Sequence, residues 1–591
     1  MKAMKDFICI TGDPYIDHPS FGLAIVKRLL ESLGFSVGVI AQPTTDADFR
    51  AYGSPRYAFM VTGGNIDSMV ANYTVARKPR KEGNAGKRPD YAVNVYCKTL
   101  RRLFGDVGII IGGLEASLRR FAHYDYWSDR VLPSVLISST ADLLVYGMAE
   151  LTLRELCERL RSGENLRNIT DLRGTCYVAS SVAPPKSLAL SSFAEVMNDK
   201  RAYMTTAILQ LEEHDEVRGR TLTQKHGDAV LVQNPPQRSL SESELDAVYE
   251  LPFTREIPAN LPETYGEVEF SIIWTRGCFG ACNFCSLAFH QGRRVQTRSE
   301  RSVLAEAKSF VRNPRFKGHI HDVGGPTANF GQPSCELQKK QGFCCKRKCL
   351  TPTPCVNLNA SHAKFLSILR KLKKVDGVKR VFVRSGVRYD YALADKSASG
   401  SAFMRELVQE HVSGQLKVAP EHCKSGVLNL MGKPPIGVYE RFQAEFERLS
   451  SSAGKQQFLV PYLMSSHPGA TLDDALDLAI WLKSRGIRPQ QVQDFYPTPG
   501  TLSTAMFYTG LNPYTLEKVY VAKSENQKST QRALLQYYKP ENATIFRELL
   551  NKRNEKQSNA KKSTKSTKSP KSVQKSAKRG RGRQTPCNPK K

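Results

Sequence analysis

Ten consecutive residues read Arg276-Gly277-Cys278-Phe279-Gly280-Ala281-Cys282-Asn283-Phe284-Cys285, a C-x3-C-x2-C run that directly follows an apolar, strand-like stretch. Thiolates favour soft metals, and three on one tight loop can hold three irons of a cubane [4Fe-4S] cluster while the fourth iron keeps no protein ligand. Gly277 and Gly280 allow the loop to bend closely around such a core. A tetrahedral zinc needs four ligands, and His290 could complete that set. Plain buried cysteines are the third reading.

A second set follows. Cys335, Cys344, Cys345, Cys349 and Cys355 lie in a Lys-, Arg- and Pro-dotted insertion at 331–357 with little periodicity. With no core of its own, this insertion needs something to hold it, and a structural zinc or an auxiliary Fe-S cluster would serve. The alternative is a disordered loop of reduced thiols. Eight of the 14 cysteines fall between Cys278 and Cys355, and in a cytosolic chain such crowding points to metal before disulfides.

Alternating strands and helices must position these residues. Residues 1–155 carry short apolar strands, such as Phe7 to Gly12 and Val107 to Ile111, that end in Gly-rich turns and alternate with helical stretches. This pattern predicts an open parallel α/β sheet domain. Residues 156–265 read as a connecting segment without chemistry of its own. From 266 to 510 six strand–helix units recur, starting near Glu269, Ile320, Arg380, Gln415, Gln457 and Gln491. Six units predict a partial (β/α) barrel rather than a closed eight-stranded one. A small helical unit at 511–552 and a disordered basic tail at 553–591 complete the chain.

The stretch RGCFGACNFCSLAFHQGRRVQTRS resembles the radical S-adenosylmethionine (SAM) superfamily, and within it the YgiQ family. GDPYIDHPSFG (12 to 22), DVGGPTANFG (322 to 331), VRSGVRYDY (383 to 391) and VAPEHCKSGVLNLMGKP (418 to 434) resemble that family too, so the likeness spans about residues 5 to 545. It implies a [4Fe-4S] cluster on Cys278, Cys282 and Cys285. It also implies SAM bound at the open iron and cleaved reductively to a 5′-deoxyadenosyl radical, with a substrate that is not known. By the same resemblance Phe284 packs near the adenine, and the backbone of Gly324 and Gly325 meets the SAM amino group. Ser385, Arg388 and Glu421 hold its ribose and carboxylate. Pro326 stands where the superfamily usually has an acid. The N-terminal domain resembles cobalamin-binding domains, but those place the cobalt-ligating His by D-x-H-x-x-G. Here Asp17 and His18 are adjacent, so His18 reads as a turn or partner-contact residue.

The formal charge is +30, of which 13 units fall between Lys556 and Lys591. That balance suits RNA as partner or substrate, or a solvated basic surface. YPTPGT (496 to 501) resembles the barrel end of methylthiotransferases that modify tRNA or a ribosomal protein. Reduction of the cluster calls for a flavodoxin- or ferredoxin-like donor. No run of about 18 apolar residues predicts a membrane span, and the N-terminus is too weakly apolar for a signal peptide; a cytoplasmic protein is expected. The competing functions are a zinc-dependent nucleic-acid-binding protein without catalysis and an Fe-S redox sensor.

Overall fold

The computed structural model describes residues 4–80, 87–179, 182–259, 261–262, 265–345 and 347–566. Five parallel strands open the chain: β1 Phe7–Thr11, β2 Val37–Ala41, β3 Ala58–Thr62, β4 Ile109–Gly112 and β5 Leu143–Val145, in spatial order 2-1-3-4-5. They are apolar on both faces because both faces are covered. Ile8 and Ile10 pack into one core with Phe59, Tyr96 and Leu100. Phe7 and Cys9 pack into the other with Leu29, Leu30 and Leu156. The helix Gly22–Ser32 closes against this second core and ends where Gly34, at φ +85°, lets Phe35 N–H return to the Leu30 carbonyl.

The segment expected to be a mere connection is instead part of this sheet. β6 Thr175–Ala179, β7 Leu188–Ala189, β8 Leu222–His226 and β9 Ala229–Gln233 extend it to nine strands, in the order 2-1-3-4-5-6-9-8-7. β6 pairs antiparallel to β5, β9 to β6 and β8 to β9. The sheet is therefore parallel through β5 and antiparallel from β5 to β8, and its edge strand β7 again pairs parallel, with β8. Half-polar strands such as LTQKH hide among loops in sequence because their pairing partners, not their composition, make them strands.

The six expected barrel strands all form. β10 Ser271–Ile273 pairs with β11 Asp322–Gly324, and β13 Gln415–Glu421, β14 Phe458–Ser465 and β15 Gln493–Asp494 form one parallel group. The third strand, β12 Arg380–Val381, pairs with His319–Ile320. Helices Glu300–Val311, Ala363–Leu372, Ala398–Glu406, Ile436–Ser452 and Leu472–Ser484 alternate with them. Trp274, Val323, Phe365, Leu369, Phe403 and Phe442 fill the barrel core. The helical unit Glu525–Leu535 and Pro540–Ser566 packs on Leu476, Ala479 and Leu482 through Leu534, Leu535, Tyr537 and Phe546. The last helix runs past 553, so the first part of the expected disordered tail is helical. The remainder of that tail, 567–591, lies outside the described residues.

Candidate active site

The three-cysteine loop leaves the barrel at the C-terminal end of its first strand. After Thr275–Arg276 the chain turns at Gly277, φ +78°, where a Cβ would lie 2.8 Å from the Arg294 carbonyl carbon. The N-terminal domain braces the loop from behind. Arg276 Nη1 donates to Glu150 Oε1 at 2.5 Å and its Nε to the Tyr249 hydroxyl at 2.9 Å. His290 Nδ1 stands 3.0 Å from Ser117 Oγ. The candidate fourth zinc ligand is thus tied to the N-terminal domain through one ring nitrogen.

Cys278, Cys282 and Cys285 are free thiols, partly exposed as residues. Their surroundings press on the sulfurs all the same: burial raises the Cys278 thiol and pushes Cys285 up to about 12. Arg388 meets them, its Nη1 3.5 Å from Cys282 Sγ, while Nε and Nη2 form a fork with Asp390 at 2.8 and 2.5 Å. Burial opposes that guanidinium's charge, but Asp390 and the thiols outweigh it and keep Arg388 firmly protonated. Lys348, from the Cys-rich insertion, donates to the Ala281 carbonyl at 2.7 Å and to Asn283 Oδ1 at 2.6 Å. Burial lowers its pKa to about 7. Three soft donors flanked by cations suit an anionic thiolate cluster. Among the described residues no group of three His, Cys, Asp or Glu side chains is arranged to hold one metal ion. A cubane engages its thiolates through separate irons, so it asks for no such convergence.

The other expected site residues fall into separate groups. Gly324 and Gly325 end β11 beside β10. The Gly324 carbonyl accepts from Trp274 N–H at 2.9 Å, and a Cβ on Gly325 would sit 2.5 Å from the Thr275 carbonyl oxygen. Ser385 bonds Asp322 next to Gly324. Glu421 ends β13 with a left-handed φ of +68°, and burial raises its pKa against the pull of Lys433 and Arg388. Its nearest cation, Lys433 Nζ, is 3.9 Å away. Phe284 packs against an apolar cluster with Leu428, Met431 and Phe507, its ring edge-on to His467 at 6.2 Å. His18 forms the expected turn and is fully buried, its Nε2 2.8 Å from Arg255 Nη1. Asp390, Lys433, Lys348, Arg276 and Glu150 escaped sequence reasoning. Of these, Asp390 lies two residues after Arg388, Arg276 two before Cys278 and Lys348 next to Cys349, yet none of them had a role legible in the sequence.

Two cavities flank the loop. One, about 660 Å³, is lined by the ends of β1, β3, β4 and β5 (Asp13, Gly64, Gly113, Gly147) and by barrel residues Gly324, Gly325 and Ser385. It lies where ligands enter open α/β sheets, beyond the strands' carboxyl ends. The other, about 610 Å³, is lined by Cys282, Cys285, Lys348, Cys344 and Tyr514.

A Radical SAM N-terminal family domain matches residues 2–269, and a domain of unknown function, DUF3362, matches 490–588. A UPF0313 protein of Clostridium botulinum (strain 657 / Type Ba4) is 50% identical over 93% of this chain and 87% of its own length. A UPF0313 protein of Clostridium perfringens (strain ATCC 13124) is 49% identical over 93% and 84%. Among solved structures, the radical SAM methyltransferase TsrM of Kitasatospora setae, with tryptophan and aza-SAM bound, is 15% identical over 84% of this chain and 74% of its own, at a TM-score of 0.47. The cobalamin-dependent SAM radical enzyme OxsB is 12% identical over 91% and 62%, also at 0.47. With half its residues shared across nearly the full length of these relatives, the chain belongs to the UPF0313 family of radical SAM enzymes.

Proposed function

We propose that this enzyme cleaves SAM reductively at a [4Fe-4S] cluster held by Cys278, Cys282 and Cys285. The observation that carries the reading is one of placement. The three thiols sit on the loop after the first barrel strand, and the Gly324–Gly325 pair ends the strand beside it. The bound cluster would supply one electron to the sulfonium of SAM, whose C–S bond then breaks to methionine and a 5′-deoxyadenosyl radical that abstracts hydrogen from a substrate. Arg388 balances thiolate charge while Asp390 fixes its plane. Gly325 lines the 660 Å³ cavity that would receive SAM, and its missing side chain lets Thr275 pack against it. Ser385 lines the same cavity, and Glu421 stands at the next strand group's end. The test is anaerobic reconstitution with iron and sulfide, reduction with SAM present, and chromatography for 5′-deoxyadenosine. Wild type should form it and Cys282→Ala should not. No cluster and bound zinc in wild type would sink the reading.

The substrate class we propose is RNA or a ribosomal component, supported by the +30 charge. Binding to tRNA should weaken steeply as salt rises, and salt-independent or absent binding would count against it. A flavodoxin- or ferredoxin-like protein is the expected electron donor. A cytoplasmic setting is supported by the free state of all thirteen cysteines among the described residues. Among those residues no helix is long and apolar enough to cross a membrane.

A further inference from the structure

The Cys-rich insertion is not a loose loop. Its five cysteines, Cys335, Cys344, Cys345, Cys349 and Cys355, line one cavity of about 250 Å³. None is in a disulfide. The short helix Glu336–Gln341 and a Cys355 N–H bond to the Cys349 carbonyl, 2.9 Å, fix two stretches of the insertion. The cavity walls are cationic: Arg218, Arg293 and Lys348 all line it. Arg218 Nη2 reaches Cys345 Sγ at 2.7 Å. Arg293 Nε is buried and has no hydrogen-bond partner among the described residues. A buried donor left unpaired is costly, so a cationic one in the lining of a cavity with five cysteines points to an anionic occupant.

We propose that this cavity holds a second iron-sulfur cluster, a [4Fe-4S] core ligated by Cys335, Cys344, Cys349 and Cys355. A single zinc would draw its sulfurs to about 2.3 Å from one point and leave no space among them. An open cavity lined by five cysteines suits a polynuclear core whose irons each meet one sulfur. Cys344 and Cys345 are sequence neighbours that line the same cavity. Cys345 is the one held by Arg218 and stays outside the ligand set. A four-thiolate cluster carries net negative charge, which Arg218, Arg293 and Lys348 offset. The site is built onto the first one. Cys278 and Cys349 pack on the same buried group of Phe279, Val295, Phe330, Leu350 and Tyr391, and Lys348 ties the insertion to the Ala281 carbonyl. Loading the second cluster therefore fixes a wall of the 610 Å³ cavity beside Cys282 and Cys285.

This site stands or falls separately from the SAM-cleaving reading. The test is iron, acid-labile sulfide and zinc content of the full chain, reconstituted anaerobically, with electron paramagnetic resonance of the reduced protein. Wild type should hold about eight irons. The variant Cys278→Ser/Cys282→Ser/Cys285→Ser should keep about four irons, with a spectrum that SAM does not alter. Cys335→Ser/Cys349→Ser should keep about four whose spectrum SAM does alter, and Cys345→Ser should keep the wild-type content. A triple variant without iron, or with zinc and no sulfide, beside a wild type of about four irons, would overturn the proposal and leave the first cluster intact. Should the triple variant fail to fold, Cys335→Ser/Cys349→Ser decides. Equal iron in it and in wild type overturns the second cluster, and a loss of about four supports it.

Discussion

Arg388 and Cys282 meet across the barrel mouth, guanidinium Nη1 to Sγ at 3.5 Å, although 106 residues separate them in the chain. The same guanidinium is the partner of buried Asp390. Removing it strands a carboxylate in the interior, a change that costs about 3–5 kcal/mol. Arg388→Met should therefore lower the urea-unfolding free energy of the metal-free protein by about that amount. Arg388→Lys keeps the charge but not the fork and should lose less. Wild-type stability in Arg388→Met would show that the pair does not hold the core.

Glu150 belongs to the N-terminal domain, yet it clamps Arg276, two residues before Cys278. Glu150→Gln keeps the shape and weakens the charge-assisted bond by about 1–2 kcal/mol. The cluster loop should then open more often, and a chelator should strip iron several-fold faster than from wild type. Unchanged stripping kinetics would mean that the interdomain brace does not govern the loop.

Gly325→Ala forces a methyl against the Thr275 carbonyl. Overpacking of this kind costs about 1–3 kcal/mol. Iron content should survive, because the cysteines are elsewhere, while SAM affinity by equilibrium binding should fall at least about tenfold. Undiminished SAM binding would remove the glycine pair from the cofactor site.

Burial holds His123 and His422 down at about 4 and His467 at about 3. His467 is neutral with both nitrogens engaged, one on the Pro468 carbonyl and one on Ser503 Oγ at 2.7 Å. Unfolded histidines take protons near pH 6.5, whereas these folded ones do not. Between pH 6.5 and about 4 the unfolded chain thus binds more protons, and stability falls as pH falls. Urea midpoints should drop steadily as pH falls from 6.5 to 4.5. A midpoint constant across that window would refute neutral burial.

The helix Pro540–Ser566 covers Leu534, Leu535 and Tyr537 through Phe546 and ties Arg553 to Asp477. Deleting residues 540–591 should lower the melting temperature by several degrees, as loss of a few kcal/mol does in a chain of this size. Deleting 567–591 alone should leave it unchanged. Equal melting temperatures for both truncations would show that the helix adds nothing to the fold.

Local chemistry made much of this protein readable from its sequence. Cys278, Cys282 and Cys285 stand on one loop because their spacing is short, and a strand must precede them because Phe270 to Trp274 is apolar and β-prone. The six barrel units and the five parallel strands announce themselves by the same means, since a strand buried on both faces is apolar throughout. Tertiary structure alone decided the rest. β6 to β9 are strands only because β5 offers β6 an edge, which their mixed composition does not reveal. The last helix continues into a polar stretch because Phe546 anchors its start and propagation costs less than nucleation. Arg388 on Cys282, Glu150 on Arg276 and Lys348 on Ala281 join residues 67 to 126 positions apart. The five thiols of the insertion lie within 20 positions and are grouped by sequence, but only the fold sets them around one cavity.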